Sequence, residues 1–296
     1  MSLRPARTCA RPVKITQAHG GAFWLPHGLW TGDAGVTMKA QMCRVAMGGL
    51  LAVAASVATM AVGTVWAYEE VAVTNGGAVT GSVRFAGTAP APDRFELRRY
   101  YDRVYCGALS DGSGYRLLKE VFVGAQGELK DVIVTIEGVA KGKPFTWQET
   151  SLEANMCQFV PFVSALRQEH ALRVVNLDSV AHDLQFYERD EQGHIFIMFH
   201  RPALTKGGTS DLVRTTGNRR SVTMQCGMHP YMQGHGLVVE NPYYAITGPE
   251  GSFSISDIPP GEYQLKAWHP VLGEKMQPIR VTEQGTVSVG FTFEGK

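Results

Sequence analysis

The stretch Gln225-Cys226-Gly227-Met228-His229-Pro230-Tyr231-Met232 decides how this chain is read. It follows Ser221-Val222-Thr223-Met224-Gln225, which reads as a strand. Cys226, His229 and Met232 place three metal-binding side chains within seven positions. A thiolate, an imidazole and a thioether form a soft donor set, suited to copper in both oxidation states. A short loop cannot surround an ion alone, so a further ligand must come from another strand. His182 fits, in Asn176-Leu177-Asp178-Ser179-Val180-Ala181-His182-Asp183, where it follows a strand 44 residues before Cys226. Two His, one Cys and a weak axial Met make up the donor set of a mononuclear type 1 copper site.

Outward from that stretch the sequence reads as all-β. Alternating or β-branched runs occur at Ala78–Phe85, Asp131–Ile136, Phe159–Val163, Ala171–Asn176 and Gly236–Glu240. Glycine and proline punctuate them, as at Gly87, Gly138 and Thr88-Ala89-Pro90-Ala91-Pro92. Helical periodicity is scarce; 95–104 reads as a short helix or an irregular loop. Many short strands between such turns point to a sandwich. The texture changes after residue 240. Ser252–Ser256, Tyr263–Ala267, Ile279–Val281 and Val287–Phe293 read as strands of a small hairpin-rich module over 241–296. A module of that size has little core of its own and is expected to pack against its neighbour.

The first 67 residues read as processing signal. Lys39 and Arg44 precede an uncharged run, Val45–Tyr68, in which Val65-Trp66-Ala67 offers small residues at the positions a signal peptidase inspects. Residues 38–67 are therefore expected to be a signal peptide, cut after Ala67. Residues 1–37 are expected to be a non-native extension, with translation starting at Met38. Periplasmic or secreted localisation follows, and membrane attachment only if the leader stays uncleaved. Beyond the leader stand 22 basic and 26 acidic residues. A mildly acidic body without a Lys/Arg stripe excludes a nucleic-acid partner. Cys106, Cys157 and Cys226 remain after cleavage. Three thiols in an oxidising compartment imply one disulfide, read as Cys106 with Cys157, leaving Cys226 free; the alternative is three buried free thiols.

With its upstream His and its Cys-x-x-His-x-x-Met loop, the sequence resembles the cupredoxins, the plastocyanin and amicyanin family. The resemblance covers about 160–240 well and 75–160 loosely. It implies a Greek-key cupredoxin-like sandwich, placed at 75–240, one type 1 copper held by His182, Cys226, His229 and Met232, and outer-sphere electron transfer. It also implies that His229 shows its outer edge to solvent, with Gly227, Met228, Pro230 and Tyr231 as an apolar rim for docking an unidentified redox protein. Two positions depart from the family, which often has Ser or Thr after the ligand Cys and Asn after the first His; here they are Gly227 and Asp183. The 241–296 module resembles carboxypeptidase regulatory-like (transthyretin-like) domains, through Gly251–Ile255 and Pro259–Tyr263. Gly81–Phe85 looks like the start of such a module, so the segment 75–90 is a candidate to pair with it, and the cupredoxin-like part then interrupts the module rather than simply preceding it.

Other chemistries fit poorly. Structural zinc sites rarely use Met. Cys-x-x-Cys-His, the c-type haem signal, is absent from the sequence, as are the His-x-His pairs of multicopper oxidases. Nothing marks a nucleophile, paired carboxylates or a phosphate loop, so neither enzymatic activity nor a small-molecule substrate is expected. A binding scaffold without copper and a copper carrier remain as alternatives. Of the other histidines, His170 reads as solvated, His194 as a turn residue, His200 as packing and His269 as structural, beside Trp268 in the core. His235 lies three residues past Met232.

Overall fold

The computed structural model describes residues 68–295, so the proposed extension and leader lie outside the described residues. Among the described residues there is no α-helix, only the 3-10 turns Leu97–Arg99 and Cys106–Leu109. No helix there is long and apolar enough to cross a membrane. The described residues form an all-β sandwich protein with two large cores and two smaller hydrophobic clusters.

The first sandwich pairs two sheets. One has the order Ile195–Leu204, His182–Asp190, Arg219–Cys226, Gln233–Val239, Val163–Arg167; the other Val213–Arg214, Ala171–Asn176, Glu149–Ala154, Phe159–Val160. Side chains alternate across a strand, so one face of each sheet is buried. In His182–Asp190 the buried residues are His182, Leu184, Phe186, Glu188 and Asp190; in Arg219–Cys226 they are Val222, Met224 and Cys226. The same alternation that sends Phe186 and Met224 into the core therefore sends His182 and Cys226 inward, at one end of the sandwich. Each fully buried apolar side chain there contributes about 1.5–3 kcal/mol.

The second core joins the sheet Ser252–Ile258, Gly77–Ala86, Thr286–Glu294 to the sheet Tyr244–Ile246, Ile133–Glu137, Gly261–His269, Gly273–Val281. Gly77–Ala86 is the middle strand of its sheet, parallel to Thr286–Glu294 and antiparallel to Ser252–Ile258. At Gly81 a Cβ would lie 1.8 Å from the Val289 carbonyl and 2.7 Å from the Phe253 ring, so only glycine admits that neighbour. The chain thus does not divide at residue 240. The second module takes Gly77–Ala86 and Ile133–Glu137 as well as the strands after 240, and the first sandwich is inserted into it. Residues 241–296 alone bury too little; Val79, Val83, Val134 and Ile136 complete the core around Leu265, Phe291 and Phe293.

Residues 93–118 form a cap on the first sandwich. A hairpin of Asp93–Glu96 and Tyr115–Leu118 encloses the two 3-10 turns, and a disulfide joins Cys106 to Cys157. The 95–104 stretch is strand end, 3-10 turn and irregular turns rather than helix.

The modules meet at Ile133, Val163, Leu237 and Trp268. His235 and His269 are buried, and the Nε2 of each has no hydrogen-bond partner. His269 Nδ1 accepts the N–H groups of Val271 and Leu272, which leaves the proton of the neutral ring on Nε2. Burial, and the neighbouring His235, push His269 down to about 4.

The unfolded histidine, near ~6.5, binds a proton that the folded one refuses. Stability should therefore fall as pH drops from about 6.5 to 4, by about 3 kcal/mol at its limit. Urea unfolding at a series of pH values tests this, with His269→Asn as comparison. The variant should lose part of the slope in that window; equal slopes would rule His269 out as its source.

Candidate metal centre

His182 begins one strand and Cys226 ends its antiparallel neighbour, in a register that pairs Leu184 with Cys226. The chain then turns back on itself. His229 N–H donates to the Cys226 carbonyl at 3.2 Å, Met232 N–H to the His229 carbonyl at 2.8 Å, and Cys226 N–H to the Met232 carbonyl at 3.1 Å. This tight loop folds His229 over Cys226 and delivers the chain into Gln233–Val239. Backbone contacts join it to the His182 strand: Gly227 N–H donates to the Asp183 carbonyl at 2.8 Å, and Asp183 N–H points at Cys226 Sγ at 3.3 Å.

Three donor atoms converge. His182 Nδ1 and His229 Nδ1 are 3.2 Å apart, and Cys226 Sγ lies 3.7 Å from the first and 3.5 Å from the second. A point equidistant from the corners of that triangle is about 2.0 Å from each, close to the ~2.0–2.3 Å of metal bonds to nitrogen and sulfur. Among the described residues it is the only group of three or more His, Cys, Asp or Glu side chains this close. His182, His229 and Met232 are fully buried and Cys226 nearly so. Met232 packs in the same core cluster as Cys226 and Tyr231.

The far side of each imidazole is also engaged. His182 Nε2 lies 2.8 Å from Asp178 Oδ2. His229 Nε2 lies 3.4 Å from Asp102 Oδ2 and 3.7 Å from Cys106 Sγ. A carboxylate beside Nε2 keeps the proton there, so both Nδ1 lone pairs face inward. Burial lowers His182 and His229, against the pull of Asp178 and Asp102 respectively, and burial raises the Cys226 thiol. The metal-free state is two neutral imidazoles and a thiol whose lone pairs crowd one desolvated spot. A soft cation that displaces the thiol proton fits that donor set.

The expected rim takes a different form. His229 is covered by Asp102 and Cys106 of the cap and shows no edge to solvent. Gly227 is exposed and Met228 and Pro230 are half-buried, but Tyr231 is buried against Phe95 and Tyr100 of the cap. The Arg116 guanidinium stands 4.9 Å from its ring centre. The reason lies in residues 93–118, whose aromatic residues roof the ligand loop. Over the outer side of the cap runs an apolar hollow of about 670 Å³, lined by Val104, Tyr105, Ala108, Leu109, Met156 and Val180.

Gly227 has its own explanation. A Cβ there would meet Asp183 Oδ2 and Gln185 Nε2, both at 2.4 Å, so a larger residue would require those two side-chain ends to swing aside. Asp183 accepts from Gln185 and from His200 instead. His200 is thus half-exposed and hydrogen-bonded, not packed in the core as read from the sequence. Asp178 and Asp102 were not singled out in the sequence. Asp178 had a readable signal, standing four residues before His182 in the same turn; Asp102 had none.

No family profile and no curated protein matches the chain. Solved structures similar to it include a purple cupredoxin from Nitrosopumilus maritimus, 19% identical over 30% of this chain and 99% of that one, with a TM-score of 0.25. A methionine-to-alanine mutant of amicyanin in its Cu(I) form is 14% identical over 36% of this chain and 98% of that one, at 0.26. The copper-containing nitrite reductase of Thermus scotoductus SA-01 is 21% identical, covering 33% of this chain and 24% of that one, also at 0.26.

Proposed function

We propose that this chain would hold one type 1 copper ion through His182, Cys226 and His229, with the Met232 thioether as the further ligand, and pass single electrons. The observation that carries this reading is the buried triangle of two imidazole nitrogens and a thiol, sized for one ion. Copper bound there would supply reversible one-electron chemistry. The chain's own residues do the rest. The paired strands fix His182 and Cys226, and the closed turn of 226–232 fixes His229 and Met232. Asp183 N–H, directed at Cys226 Sγ, stabilises negative charge on that sulfur. Burial excludes water.

The Cys106–Cys157 disulfide is in keeping with an exported protein. We read the second module as a transthyretin-like companion, supported by its two packed sheets. The partner is a redox protein. With the His229 edge closed, an electron that leaves along that imidazole crosses cap atoms of Asp102 or Cys106. The closed cap also argues against a carrier that must surrender its ion readily. A scaffold without metal would leave three buried lone pairs facing one another.

Titration of the purified protein with Cu(II) should raise a strong Cu–thiolate absorption at about 600 nm. Cys226→Ser should abolish the band and leave the fold intact. A colourless wild type, or an unchanged band in Cys226→Ser, would overturn the reading. Uptake should also release about one proton per ion at neutral pH, because the thiol is protonated and both imidazoles are already neutral in the metal-free site. Titration in weak buffer with a pH indicator measures it; release near zero would mean that Cys226 is not a ligand.

A further inference from the structure

Asp178 is a fully buried carboxylate, and a buried charge persists only where hydrogen bonds replace its water. It has four such partners. Oδ2 faces His182 Nε2 at 2.8 Å and accepts the Cys157 N–H at 2.8 Å. Oδ1 accepts the Met156 N–H, and the Tyr105 hydroxyl donates to it at 3.1 Å. The group is itself held in place, because Asp178 N–H donates to Asn176 Oδ1 and Asn176 Nδ2 donates to the Val180 and Leu204 carbonyls. Its partners come from three sources: the ligand His182, the hairpin bearing Cys157, and the cap through Tyr105.

We propose that Asp178 is a positioning residue for the metal: it holds the His182 proton on Nε2, keeps Nδ1 free for the ion, and feeds negative charge through the ring, in an amount that the cap adjusts through Tyr105. This rests on the copper reading above and deepens it. A carboxylate behind a ligand imidazole makes the ring a stronger donor, and loss of such a partner typically costs 10–100-fold in metal affinity. The added charge favours the more highly charged oxidised ion, so Asp178 lowers the reduction potential. Tyr105 acts in the opposite sense. Its hydroxyl draws charge to Oδ1, away from the oxygen that serves His182.

The full chain carrying Asp178→Asn or Tyr105→Phe separates this from a merely structural role. In Asp178→Asn, Cu(II) affinity measured against a competing chelator should fall about tenfold or more, with a smaller loss for Cu(I), and the midpoint potential should rise. In Tyr105→Phe, which keeps the ring and the packing, the potential should fall. Opposite shifts support the proposal. Shifts of the same sign, or an unchanged ratio of Cu(II) to Cu(I) affinity in Asp178→Asn, overturn it.

A second measurement needs no copper. Nitrogen-15 NMR of the metal-free wild type should show His182 as the Nε2–H tautomer; the Nδ1–H form would overturn the proposal even if Asp178→Asn does not fold. A protein that shows this tautomer but never develops the Cu–thiolate band would sink the copper reading while leaving the Asp178–His182 contact established.

Discussion

The antiparallel register between His182–Asp190 and Arg219–Cys226 is the constraint on which the rest of the site depends. It sets Leu184 opposite Cys226 and brings an imidazole and a thiol to the same buried end of the sandwich. A slip of one residue would turn every side chain of a strand to the other face. The slip is opposed by Phe186, Val222 and Met224, whose burial requires the same register. Core packing and ligand placement are therefore one specification.

The second determinant is desolvation. Burial raises the thiol and lowers both imidazoles, so the isolated site resists carrying charge. The protein answers on the outside of the rings, with Asp178 behind His182 and Asp102 behind His229. Both carboxylates fix ring orientation. They differ in setting: Asp178 is wholly enclosed by hydrogen bonds, whereas Asp102 is partly open on the cap. The cap thus reaches both halves of the site, directly through Asp102 behind His229 and through Tyr105 on Asp178 behind His182.

Much of this was legible in the sequence, for identifiable reasons. Strands with period-2 alternation, such as Arg219–Cys226 and Ser252–Ile258, declare themselves because burial on one face dictates residue type. The 226–232 loop is legible because its donors are close in sequence and chemically unusual together. What escaped is what depends on distant contacts. Nothing in 93–118 announces a roof over His229; its Tyr100 and Phe95 read as ordinary aromatics until they meet Tyr231. The place of Gly77–Ala86 was legible through its likeness to the start of the second module, whereas that of Ile133–Glu137 was hidden, since a strand's own residues do not say which of two sheets it joins. Asp183 and Gly227 looked like weak points beside the family pattern, yet backbone hydrogen bonds do the joining there, and backbone groups leave no trace in residue identity.

The parallel pairing of Gly77–Ala86 with Thr286–Glu294 bears on the order of assembly. During synthesis the middle strand of one sheet emerges early and must wait for nearly the whole remaining chain before its neighbour exists. Contacts of such separation form late, because closing a long loop costs entropy before it is rewarded. The strands of the first sandwich all lie between Glu149 and Val239 and carry no such delay. The first sandwich can therefore take shape first, while the pairing of Gly77–Ala86 with Thr286–Glu294 closes the second module as the final step.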